Sequence, residues 1–152
     1  MKVTFQVEPW GRILPEIKPM AHLLWDDVAV DKDRFVAKIW EARYAELDLL
    51  NMIHVTTARD GKRLVGFYVV FITQNGHYEG AGQMAFTDAY YLLPEYRIGN
   101  IGMKLFAFAE KKWRECGCVK AYSSHKLHRD RSAMLEALGW KPSDLIYTKV
   151  LD

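Results

Sequence analysis

The sequence has almost no cysteine. Its two cysteines, Cys116 and Cys118, flank a single glycine. That is too few for a disulfide scaffold and fits a reducing, cytoplasmic setting. Long hydrophobic runs are missing too. The longest, Leu64 to Ile72, is far short of the about 20 residues of a membrane helix, so no membrane partner is expected. The opening Met1-Lys2-Val3-Thr4-Phe5-Gln6 has no signal-peptide pattern. A net charge of only +2 gives no general reason to bind nucleic acid. Cys116-x-Cys118 with His125-x-x-His128 is spaced more tightly than a zinc site, and its cysteines straddle a helix stop and a strand start; no metal is predicted.

Half of the 152 residues are hydrophobic, enough for one domain, 1–152, with a real core. Val3 to Val7 reads as a strand. Leu14, Ile17, Ala21, Leu24 and Val28 recur at helical spacing, with a break or kink expected at Pro19. A second helix is predicted from Asp33 to Leu50, with Phe35, Ile39, Ala42 and Leu49 on one face. His22, Trp25, Trp40 and Tyr44 belong to these helices and read chiefly as core packing. Met52–Ala58, Leu64–Thr73 and Met84–Leu93 follow as strands, the first two joined at Asp60-Gly61. Asn75-Gly76 and Gly80-x-Gly82 bracket a loop holding His77, Tyr78 and Glu79. A helix is expected from Asn100 to Cys116, a strand from Val119 to Ser123, a short helix from Asp130 to Leu138 and a last strand from Ile146 to Leu151. Charge is uneven along the chain: 10 basic and 13 acidic residues up to Tyr96, then 11 basic and 6 acidic. The basic half suits a polyanionic ligand.

That half opens on Tyr90-Tyr91-Leu92-Leu93-Pro94-Glu95-Tyr96-Arg97-Ile98-Gly99-Asn100-Ile101-Gly102-Met103-Lys104-Leu105. An apolar strand ends at a proline, a glycine-spaced turn follows, and a helix begins. Such a turn exposes amides with no partner of their own at the positive end of a helix dipole, a geometry suited to phosphate. Gly99 and Gly102 remove Cβ atoms where a ligand would approach, and Arg97 adds a fixed charge. The stretch resembles the acyl-CoA motif of the GNAT N-acetyltransferases, Pro-Glu-Tyr-Arg followed by Arg/Gln-x-x-Gly-x-Gly/Ala. Asn100 stands where the motif has its middle glycine; asparagine tolerates a left-handed backbone better than most residues. Leu138-Gly139-Trp140 resembles the Leu-Gly-Phe/Tyr that closes the last helix in this family. Small acetyltransferases of phage and bacteria look most similar.

The resemblance implies an α+β (α/β) GNAT fold: one mixed, largely antiparallel sheet of six to seven strands with about four helices. It implies acetyl-CoA as cosubstrate and direct transfer of its acetyl group to an amine in a ternary complex. Amides of Arg97, Ile98, Gly99, Asn100, Ile101 and Gly102, with Lys104 beside them, would hold the pyrophosphate. Backbone groups of Tyr91, Leu92 and Leu93 would pair with the pantetheine arm. Asp88, a lone carboxylate in an apolar strand, is the candidate base or ammonium ligand. The tyrosine that often serves as acid falls on Leu135 here, and the asparagine that often touches pantetheine falls on His128, so Tyr147 is the candidate acid, with Tyr90 and Tyr91 as alternatives. His77 is a candidate at the acceptor mouth; His54 reads as structural. The basic cluster His125, Lys126, His128, Arg129 and Arg131 suits the 3′-phosphate of coenzyme A. Exposed aromatics near Trp10 or Tyr147 would support a homodimer. The other reading is a catalytically silent GNAT-fold protein that binds a host or partner protein, motivated by Asn100 and Leu135.

Overall fold

In the computed structural model, residues 2–75 and 77–151 are described; Gly76, expected in a loop, lies outside them. Five strands form one sheet in the order β1 (Val3–Val7), β2 (Ile53–Asp60), β3 (Arg63–Gln74), β4 (Gln83–Leu92), β5 (Cys118–Tyr122). The first three junctions are antiparallel and the last is parallel. Four α-helices lie among the described residues, α1 (Trp10–Val28), α2 (Glu41–Leu49), α3 (Ile101–Glu115) and α4 (Ser132–Ala137), with short 3-10 helices at Pro94–Tyr96 and Leu127–Arg129.

Strand alternation assigns the two faces. Tyr68 of β3 packs against Phe106 and Trp113 of α3. Phe71, an odd number of residues further, faces the opposite way and meets Tyr44 of α2, which stacks on Trp10 of α1. The sheet is thus covered on both sides. Trp10, Ile13, Ile17 and Met20 are buried from α1, and Leu105, Phe106, Ala109 and Trp113 from α3. The β2–β3 hairpin closes on Gly61 at φ 58°, where a left-handed backbone suits glycine.

Four expectations need correction. Helix α1 starts at Trp10 and runs through Pro15 and Pro19 without interruption. The second helix starts at Glu41, not Asp33. Asp31 takes φ 56° and its carbonyl collects the amides of Arg34 and Phe35, making a turn. Of the face read as Phe35, Ile39, Ala42 and Leu49, only Ile39 packs against the core, and Phe35, Ala42 and Leu49 are exposed; Trp40, read as core packing, is exposed too, whereas Leu47 is buried. Among the described residues the sheet has five strands rather than six or seven. Residues 146–151 form no strand, because no backbone lies in register beside them.

The far side of the sheet is locked by charge. Glu8, 3 % exposed, follows β1. It accepts hydrogen bonds from Thr57 Oγ1 (2.6 Å) and Arg59 Nε (2.8 Å), and Arg59 also binds Glu16 (2.8 Å). Burial alone would raise the Glu8 pKa; the hydrogen bonds from Arg59, Thr57 and Gln6 and the Arg59 charge bring it down to about 2. Removing one partner of a buried pair strands the other charge. Arg59→Ala is therefore expected to lose about 3–5 kcal/mol of stability at neutral pH, read from urea unfolding. Because the Glu8 pKa is depressed in the fold, its stabilisation is present above the unfolded value and is lost as pH falls toward 2. The gap between wild type and variant should narrow over that range.

Candidate active site

The site begins with a mismatch between β4 and its two neighbours. On one side β3 follows β4 from Gln83 to Leu92. On the other, β5 stops pairing at Phe86↔Tyr122. β5 itself ends at Tyr122, so residues 87–92 of β4 have a strand on one side only, and the open edge beside them is the fork of the sheet. Leu93 donates its amide to Val65 O (2.9 Å). Backbone direction alternates along an antiparallel pair, so Tyr91 and Leu93 turn their polar groups toward β3, whereas Leu92 and Tyr90 turn theirs into the fork. Of the three positions read from sequence, Leu92 is the one whose backbone faces the opening, and its carbonyl accepts from Arg97 Nε (2.7 Å).

Asp88 sits where the ladder slips. Val69 pairs with Ala89 and Val70 with Thr87, leaving Asp88 as the extra residue of a β-bulge. Its Oδ2 accepts from the Tyr44 hydroxyl at 2.6 Å. Solvent reaches Asp88, yet enough protein surrounds it that desolvation raises its pKa, an effect the Tyr44 hydrogen bond only partly offsets. Burial, then the Asp88 charge, pushes the Tyr44 pKa up, so Tyr44 stays protonated as the donor. Next to Asp88 on the same face, Phe86 lies parallel to Tyr122 with centroids 4.5 Å apart. These rings and Thr73, Gln74, Asn75, His77 and Met84 line a cavity of ≈ 210 Å³. His77 is thus beside the carboxylate's strand, and its amide is held by Asn75 Oδ1 (2.8 Å). A larger hollow, ≈ 390 Å³, is lined only by Lys38–Glu41 and brings no converging chemistry.

At the other end of the fork is the turn. Arg97 N closes onto Pro94 O, and Lys104 N onto Asn100 O. Between them, among the described residues, the amides from Ile98 through Met103 make no hydrogen bond. The left-handed position is Gly99 at φ 57°; Asn100 has φ −116° as the residue before α3. The substitution at Asn100 therefore needs no left-handed asparagine. A Cβ on Gly102 would lie 2.9 Å from Tyr90 Oη, so glycine lets α3 approach β4 closely without displacing that hydroxyl. Lys104 is exposed.

Two arginines converge here on one carboxylate. Asp27, at the end of α1, accepts from Arg97 (2.8 Å) and Arg129 (2.6 Å), and its carbonyl oxygen is 3.1 Å from His128 Nε2. The hydrogen bond from Arg97, ahead of burial's opposing effect, holds the Asp27 pKa low. Arg131, grouped with Arg129 from sequence, instead turns inward over the Tyr90 ring (4.8 Å) and donates to Ser124 O. Tyr147 is 88 % exposed, and no contact joins it to Asp88. Leu135 is buried in the core. The four zinc-like positions diverge: Cys118 is buried, Cys116 exposed, and His125 meets Ser132 while His128 meets Asp27.

A forked sheet leading to an amide-rich turn at a helix start matches a known pattern, and the acetyltransferase (GNAT) family model matches residues 17–140. The chain belongs to the GNAT acetyltransferase family. Solved structures agree on the GNAT fold. A transcriptional regulator from Bacillus halodurans is 22 % identical, with a TM-score of 0.77, covering 99 % of this chain and 100 % of that one. Glucosamine-6-phosphate N-acetyltransferase from Arabidopsis thaliana is 13 % identical, with a TM-score of 0.73 and complete coverage of both chains. The aminoglycoside N-acetyltransferase AAC(6')-Iy in complex with CoA is 14 % identical, with a TM-score of 0.75, covering 99 % and 95 %. Among curated proteins, none matches the sequence. No helix among the described residues of this GNAT chain is long and apolar enough to cross a membrane.

Sequence reading missed the Tyr44–Asp88 bond, the bulge and the Asp27 clasp. Only the bulge had a local signal: Asp88 interrupts an otherwise apolar strand.

Proposed function

We propose that this GNAT protein moves an acetyl group from acetyl-CoA to an amine by direct attack in a ternary complex. The observation that carries the reading is the fork between β4 and β5, with free amides at its far end and a carboxylate at its floor. Bound acetyl-CoA would supply an activated acetyl thioester. The residues present fit it: the amides from Ile98 to Met103, Gly102 without a Cβ, and Arg97 and Arg129 suit a pyrophosphate, and Leu92 and Tyr90 offer backbone groups to an amide-bearing arm. Asp88 takes the proton of the incoming ammonium, with Tyr44 fixing the carboxylate and leaving its second oxygen for the amine. As nitrogen bonds to the carbonyl carbon it gives up its second proton to solvent, and the carbon–sulfur bond breaks. The exposure of Tyr147 favours solvent as the proton source for the departing thiolate. The cavity between His77 and Tyr122 would take the body of the acceptor.

A thermal-shift titration tests the cofactor. A ligand that binds only the folded state raises Tm with concentration. Acetyl-CoA and CoA should give a saturable rise that pantetheine without pyrophosphate does not, justifying an amine screen by released thiol. No rise would overturn the reading. A saturable rise with no thiol release from any amine would instead favour a silent, partner-binding GNAT protein, as Leu135 in place of an acidic tyrosine suggests.

Asp27 sets a second expectation. Its carboxylate competes with phosphate for Arg97 and Arg129. Asp27→Asn should tighten CoA binding by about tenfold, or ~1.4 kcal/mol, by calorimetry at low salt. Weaker binding would mean that Asp27 positions the arginines instead.

A further inference from the structure

We infer that the fork takes acyl groups that end in a carboxylate, as in the succinyl or malonyl thioester of CoA, and that Arg131 is the residue that recognises them. This rests on the acyl-transfer reading above and names the acyl group that is carried. Arg131 is a cation without a counter-ion. It lies across the fork: its guanidinium stands over the Tyr90 ring of β4 (4.8 Å) and donates to Ser124 O (2.9 Å), just past the end of β5. Its Nε is sealed from solvent and has no partner. Burial pulls its pKa down, and no carboxylate among the described residues offsets that. The nearby acids are committed elsewhere. Asp130 accepts from Ser132 N (2.8 Å) and lies 3.4 Å from His125; Glu110 accepts from Trp140 Nε1 (2.7 Å) and Arg114 (3.4 Å). A buried charge left unpaired is costly, and an anionic ligand group removes that cost.

The place of the cation selects the anion. Tyr68 and Tyr90 both meet Phe106 of α3, so Arg131 closes the fork on the α3 face. On that face, level with Asp88, the floor is made of hydroxyls. Tyr68 Oη and Thr87 Oγ1 bond at 2.7 Å, and Ser123 Oγ near them is buried without a partner. Asp88 itself faces the other way, toward Tyr44. An amine arriving on the Asp88 side leaves the α3 face to the acyl chain. A bare methyl there would leave Arg131 Nε and Ser123 Oγ unsatisfied, whereas a carboxylate at the end of a short chain can accept from both. Phosphate has its own cations, Arg97 and Arg129, which converge on Asp27, and Arg131 turns away from them. Arginine–carboxylate pairs are among the strong hydrogen bonds of a protein interior. The transfer is otherwise unchanged: the carbon–nitrogen bond forms, the carbon–sulfur bond breaks, the ammonium protons go to Asp88 and solvent, and the product amide keeps the carboxylate.

Calorimetry on the full chain compares succinyl-CoA with butyryl-CoA, which has the same chain length and no charge on its acyl group. Succinyl-CoA should bind about tenfold tighter or more. Arg131→Met should erase that preference with unchanged far-UV circular dichroism, and Arg131→Lys, which keeps the charge without the fork of donors, should retain part of it. Butyryl-CoA binding as tightly as succinyl-CoA to the unmodified chain would overturn the inference, whatever the variants do. So would a preference that survives Arg131→Met. Acetyl-CoA binding without succinyl-CoA binding would sink this inference alone; no binding of any CoA ester would take the acyl-transfer reading with it.

Discussion

Replacing Asp88 with asparagine is expected to lower kcat/KM by about 10²–10⁴, the range for losing a positioned base. Asparagine keeps the shape and can still accept from Tyr44, so the loss would report proton transfer rather than a collapsed bulge. The pH profile gives an independent reading. The Asp88 pKa is raised by desolvation, and the base works only when ionised. The acid limb of the rate should therefore lie above the ordinary aspartate value of about 3.9, and Asp88→Asn should flatten it. Tyr44→Phe removes the hydrogen bond that favours the carboxylate, so it should move that limb to higher pH. Stability should change the other way. A raised folded-state pKa means stabilisation is present below the unfolded value and is lost as pH rises through the folded one. At neutral pH the charge is a burden, and Asp88→Asn should melt no lower than wild type. An unchanged profile with an unchanged rate would remove Asp88 from the chemistry.

The second large effect is expected at Gly102. A Cβ there would meet Tyr90 Oη at 2.9 Å and Met134 Sδ at 3.5 Å. A glutamate there crowds Tyr90 and adds a negative charge in the first turn of α3, beside the amides where an anion would sit. Gly102→Glu should weaken CoA binding by about 100-fold or more, roughly 3 kcal/mol, by calorimetry. Gly102→Ala separates steric from electrostatic causes. Tyr90 Oη has to shift only a few tenths of an ångström for it, so its effect should be far smaller. Equal losses in both variants would mean that the close approach of α3 to β4, rather than the charge, governs binding.

The parts of this protein legible in its sequence are those specified locally. From Tyr90 to Leu105, strand, proline, turn and helix follow one another within a few residues, and the glycine at a left-handed position is visible as a glycine. The buried stripe of α3 was readable for the same reason: Leu105, Phe106, Ala109 and Trp113 fall at helical spacing and meet one sheet face. The failures share a cause. Residues 33–40 and 146–151 have the spacing or composition of regular elements, but most of their apolar side chains find no surface of the same chain to pack on, and periodicity cannot report that. The fork depends on where β5 stops pairing, and the Tyr44–Asp88 bond joins residues 44 positions apart. The Asp27 clasp joins α1 to residues 70 and 102 positions away.

The register around the bulge has a consequence for what this strand can lose. Val69 already pairs with Ala89, and Val70 with Thr87. A chain shortened by deleting Asp88 would bring those two pairs into a regular ladder, with every later side chain still on its present face and the turn still delivered to α3. Most deletions inside a strand invert everything downstream; this one would leave the sheet better formed. The fold has a position for Asp88 but no need of it, so what such a deletion takes away is the carboxylate at the floor of the fork and nothing the sheet depends on.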